Sequence, residues 1–144
     1  MMERNLELKE IKEAIAAGEQ TLRYLQGARE ALQSASNFGL ADMLGFDFIG
    51  GIGKHMKIQK AKEQMEMAKS SVQSFQKELS DLTVSIDFNV NISDFLTFAD
   101  FFFDGLIADW MIQSRIGDAK NQVDNGIFKI KAVLSDLYRM ERNL

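Results

Sequence analysis

The sequence predicts an all-α fold, an antiparallel helical bundle with long coiled-coil-like helices, a central apolar helix and one short extended segment at about 84–92, in a single domain spanning 1–144. Three observations carry that prediction. The 144 residues contain no proline, the residue that breaks helix interiors. Two long stretches repeat apolar residues at alternating steps of three and four, which is one stripe of a helix. A third stretch with the same period closes the chain. A length of 144 residues suits one domain with a substantial core.

The first stripe runs through Leu8, Ile11, Ile15, Gly18, Leu22, Leu25 and Leu32, broken only at Arg29. It predicts a helix from Glu3 to Ala35, roughly 50 Å long at 1.5 Å per residue, with Ser36 and Asn37 as a stop. Gly18 and Gly27 weaken that helix but allow a neighbour to come close. The second stripe is Ile58, Ala61, Met65, Ala68, Val72, Phe75, Leu79 and Leu82. Two such seams pack best against each other or against a copy, at a shallow angle. The third is Ile116, Val123, Ile127, Ile130, Leu134 and Leu137, weakened locally by Gly117 and Gly126.

Two segments depart from this scheme. Phe38 to Gly53, FGLADMLGFDFIGGIG, reads as a short buried helix and a tight turn. In Thr83 to Ser93, Val84, Ile86, Phe88, Val90 and Ile92 alternate with polar residues, the period of a strand. A lone strand leaves backbone groups without partners. Either it pairs with the same strand of a second copy, or it crosses the bundle extended for about 30 Å with its apolar side in a groove.

Ser93 then reads as an N-cap with Asp94 in the first turn, opening the apolar stretch 95–112. Asp100, Asp104 and Asp109 would each cost about 2.5–3.5 kcal/mol at a bilayer centre, so a membrane span is not expected, and a core helix is. The charged, amphipathic amino terminus does not read as a secretion signal. The stripe Ser93, Thr97, Asp100, Asp104 needs donors or a counter-charge if it is buried. No Lys or Arg occurs from 83 to 114, whereas Lys54, His55, Lys57, Lys60 and Lys62 cluster before it. A buried polar cluster of Lys54, His55 and Lys57 with Asp100 and Asp104 is therefore expected.

Chemistry beyond that is not expected. His55 is the sole histidine, and no Glu-x-x-His pair accompanies it, so a ferritin-like di-metal site has no ligands. With no cysteine there is neither a disulfide framework nor a thiolate site. GGIGKH misses the phosphate-loop pattern, because position 48 is Phe48 and His55 follows the lysine. The net charge of −4 and pI of about 5.0 argue against nucleic acid, and Glu63 and Glu66 interrupt the basic run. Met2–Leu6 recurs as Met140–Leu144, with no longer repeat around it.

Ser36-Asn37-Phe38-Gly39 with Asp42-Met43-Leu44-Gly45, then Lys54-His55, then Phe98 to Trp110, resembles a group of uncharacterised helical bacterial proteins. Their pattern is a Trp-Asp-x-Leu-Gly-Gly-Gly turn, a Lys-His-Ser step and a Phe-Ala-Asp-Tyr-Phe-Phe-Asp-Gly-Leu helix. Ala41, Phe46 and Met56 depart from it. The resemblance implies a bacterial, mostly helical protein and carries no activity. The expected function is thus a non-enzymatic interaction or scaffold protein, cytoplasmic, without cofactor, forming a homodimer or other homo-oligomer through a helix seam or the strand Val84 to Ile92, and binding an unidentified protein partner. The rival is an apolar-ligand or membrane-active protein using 95–112, with Phe98, Phe102 and Trp110 as its surface.

Overall fold

A computed structural model describes residues 2–43, 47–82, 89–101 and 116–144, and the side chains of 4–34, 59–82, 89–100 and 119–144. These residues form four helices: α1, Met2–Met43; α2, Asp47–Ser80; α3, Val90–Phe101; and α4, Ile116–Asn143. No strand occurs among the described residues. The helical bundle is as expected, but three boundaries differ.

Helix α1 runs through Ser36, Asn37 and Gly39 to Met43, and α2 includes Gly50, Gly51 and Gly53. Of the segment Phe38 to Gly53, expected as a short helix and a turn, 38–43 and 47–53 thus belong to the two long helices, and 44–46 lie outside the described residues. Serine, asparagine and glycine each cost a helix only about 0.5–1 kcal/mol, and two long helices packed together recover such costs through tertiary contacts. The third difference is at α3. Its cap is Asn89, whose Oδ1 accepts the Ile92 amide at 2.8 Å, while the Ser93 amide donates to the Asn89 carbonyl at 3.1 Å. The cap thus lies four residues before Ser93, and Val90 and Ile92 are helical rather than extended. Val84, Ile86 and Phe88 lie outside the described residues. Ile92, Phe95 and Ala99 also satisfy a helical period, and all three are fully buried.

Helix α1 is the spine, packing against both α2 and α4. Against α2, Gly27 lies by Gln64, Thr21 by Ser71 and Gly18 by Phe75, so numbers rise on one helix as they fall on the other. The pair is antiparallel. Against α4, Arg29 meets Asp124 and Glu19 meets Tyr138, again antiparallel. The short α3 lies along α4 in the same sense, with Phe98 at Gly126 and Asn91 at Asp136. The α2 seam is buried from Ala61 through Leu82. Phe75 meets Phe95 at 5.1 Å between ring centres, and Phe95 meets Phe98 at 6.0 Å.

One polar bond lies inside this packing. Thr21 is fully buried and Ser71 nearly so. The Thr21 hydroxyl lies 2.8 Å from the Ala17 carbonyl, 3.0 Å from the Ser71 carbonyl and 2.8 Å from Ser71 Oγ. With its single hydrogen directed at a carbonyl, Thr21 accepts from the Ser71 hydroxyl. Buried hydroxyls without partners are costly, so the bond disfavours sliding of α1 along α2.

Glycine decides how near the helices come. A methyl group on Gly18 would stand 2.8 Å from Leu134 Cδ2 and 2.9 Å from Phe75 Cζ, both buried side chains. At Gly27 it would meet only Gln64 Oε1, at 3.1 Å, the end of a flexible side chain. Alanine gains about 1 kcal/mol over glycine within a helix, but overpacking costs about 1–3 kcal/mol. Gly18→Ala is therefore expected to lower stability by about 1 kcal/mol and Gly27→Ala to raise it by about 0.5 kcal/mol. Urea denaturation midpoints of the two variants check this contrast.

Candidate functional site

The expected polar cluster does not assemble around Asp100. That residue is exposed, as are Ser93 and Thr97 on the same stripe, and its carboxylate accepts a hydrogen bond from Gln76 Nε2 at 2.9 Å. Gln76 lies in the last turn and a half of α2, about 28 Å of helix beyond Lys57 and further still from His55 and Lys54. A continuous helix cannot bring both ends to one carboxylate, so the expectation is corrected for Asp100. The polar stripe faces water because α3 buries its opposite side through Ile92, Phe95, Phe98 and Ala99. Asp104 and the side chains of Lys54, His55 and Lys57 lie outside the described residues.

The apolar-surface and strand residues fare similarly. Phe98 is 5% exposed and packs on Gly126, so it belongs to the core and is not available as a ligand surface. Phe102 and Trp110 lie outside the described residues. Ile92 is fully buried within the bundle while Val90 is 80% exposed, so the two do not share a strand face. Among the described residues, no helix is long and apolar enough to cross a membrane, and no three metal-ligating side chains gather at one point.

Polar groups that periodicity does not reveal tie the helices together. Asp136 on α4 is buried; it accepts Asn91 Nδ2 at 2.8 Å from the first turn of α3 and also pairs with Arg139. Lys129 pairs with Asp94, and Arg29 with Asp124 at 2.5 Å. The Tyr138 hydroxyl donates to Glu19 Oε1 at 2.8 Å. That bond raises the Tyr138 pKa above its ordinary value of 10.0, helped by burial and by the negative charges of Glu19 and Glu141.

The outer side of the α1–α2 pair is different in kind. A groove there has one depression of about 210 Å³ lined by Ala17, Gln20, Tyr24, Met67, Ser70, Ser71 and Ser74. A second, of about 250 Å³, is lined by Gly27, Glu30, Ala31, Ser34, Lys60 and Gln64. At 100° per residue, Ala17, Tyr24 and Ala31 face away from the side of α1 that carries Gly18, Arg29 and Gln33 toward α4. Met67 is 44% exposed in the groove. Both helices therefore carry a second 3,4 row, 17-20-24-27-31-34 and 60-64-67-71-74. The row was readable in the sequence but holds few apolar residues, so a search for apolar stripes passes over it. Phe128, 74% exposed on α4, stands off the Ile127, Ile130 and Leu134 stripe, and a lone apolar residue forms no periodic pattern. The chain matches no known protein family, no curated protein and no solved structure.

Two predictions follow from the polar ties. Asp136→Ala removes two hydrogen bonds from a buried carboxylate and is expected to cost about 2 kcal/mol, whereas Asp100→Ala, at an exposed site, should stay within about 0.5 kcal/mol. Thermal midpoints of both variants check this. For Tyr138 the raised folded pKa means that its contribution is complete below about pH 10 and is lost as pH climbs through the folded value. The stability gap between wild type and Tyr138→Phe, about 1 kcal/mol at pH 8, should therefore narrow as pH rises above 10.0 in denaturant titrations.

Proposed function

We propose that this chain is a non-enzymatic, cytoplasmic interaction or scaffold protein that associates with copies of itself. The observation that supports this reading is the outer α1–α2 groove centred on Tyr24 and Met67. The inward faces of both helices are already filled, by Phe75, Leu79, Leu25 and Leu32 among others. Of the second row, Ala31 and Ser71 are buried, whereas Gln20 and Met67 are left exposed at its outer edge. Tyr24 and Met67, which sit together at the groove's centre, are of the residue types enriched at interfaces. Covering such a surface recovers about 25 cal/mol for each Å² of apolar area removed from water.

Self-association predicts a mass that depends on concentration. Sedimentation velocity from about 1 µM to 200 µM, with native mass spectrometry at the upper end, should show a dimer or higher multiple with no added small-molecule mass. A monomer throughout this range removes self-association from the proposal, and a monomer carrying a reproducible adduct replaces it with ligand binding.

A further inference from the structure

The antiparallel register of α1 and α2 makes their outer face complementary to itself. Across the groove, Tyr24 stands level with Met67, Gly27 with Gln64, Gln20 with Ser71, and Glu30 with Lys60, following the register in which Thr21 meets Ser71. Consider a second copy placed by a two-fold axis that runs along the groove. Such an axis preserves height and exchanges sides, so α1 of one copy lies over α2 of the other at the same level. Each residue then meets the partner's version of the residue it faces across its own groove.

Within the two depressions, the pairs that result match in size and charge. Glu30 meets a lysine, Gly27 leaves room for a glutamine, Tyr24 meets a methionine sulfur, and Gln20 meets a serine. Opposite charges across an interface favour the correct register, and sulfur against an aromatic ring is attractive. The alternative two-fold axis, across the helices, sets α1 antiparallel on α1 and forms none of these pairs. Resting on the proposed self-association, we infer that the chain dimerises through the outer α1–α2 face about an axis parallel to the helices, which makes a four-helix interface with antiparallel neighbours. The occupant of the groove is thus a second copy of this chain.

The absence of native cysteine makes the geometry directly testable. Ala17→Cys protein mixed with Ser74→Cys protein should form a disulfide-linked heterodimer on mild oxidation, while Ala17→Cys mixed with Ser34→Cys should not. Met67→Glu, at an exposed position, should keep the circular dichroism and thermal midpoint of wild type and weaken dimerisation at least 100-fold in sedimentation. A wild-type dimer that Met67→Glu leaves intact overturns this face and leaves self-association standing. Cross-linking of 17 to 34 in place of 17 to 74 overturns the axis. A monomeric wild type overturns both this inference and the reading beneath it.

Discussion

The approach of three helices at Gly18 is the contact on which the rest of the bundle depends. Leu134 of α4 and Phe75 of α2 both reach the hydrogen side of this residue, and Phe75 in turn stacks against Phe95 of α3. All four helices are thereby linked through one position without a side chain. Gly126 repeats the arrangement on α4, where Phe98 fills the space and Leu25 lies alongside. Glycine lowers helix propensity at both points, and at both the loss is offset by aromatic rings packed directly on backbone.

Around that apolar centre, the polar ties are set to hold register. Thr21 and Ser71 fix α1 on α2, Glu19 and Tyr138 fix α1 on α4, and Asn91 and Asp136 fix α3 on α4. None of them has the arrangement of a catalytic set: each is a donor and acceptor satisfying one another between two helices. Buried polar pairs of this kind contribute little net stability but make alternative slides expensive, since a shifted helix would leave a hydroxyl or carboxylate without its partner.

Much of the fold was legible in the sequence because the α2 seam is one-sided. Ala61, Met65, Ala68, Val72, Phe75, Leu79 and Leu82 were all read as one stripe and are all buried. Helix α1 was harder, since it buries two sides: Ala14, Thr21 and Ala28 lie inside but are too small or too polar to register as a stripe. The segment at Val90 and Ile92 misled because two residues two apart fit either period, and only the Asn89 cap decides between them. The polar cluster around Asp100 failed for a simpler reason: charge imbalance along a chain does not fix which side of a helix faces water. The candidate surface was legible only as a second 3,4 row, visible once the first had been assigned to the core.

The place of α1 between two neighbours also orders events in time. Its bonds to α2 join residues 50 apart in the chain, whereas those to α4 join residues 95 and 119 apart. Closing a shorter loop loses less chain entropy, so the α1–α2 hairpin is the first long contact within reach of a growing chain. Until the last helix is synthesised, the flank of α1 around Gly18 that receives Leu134 stays open to solvent. The nascent hairpin therefore presents two troughs, one filled later by α4 and one, beside Tyr24 and Met67, that the finished bundle still leaves uncovered.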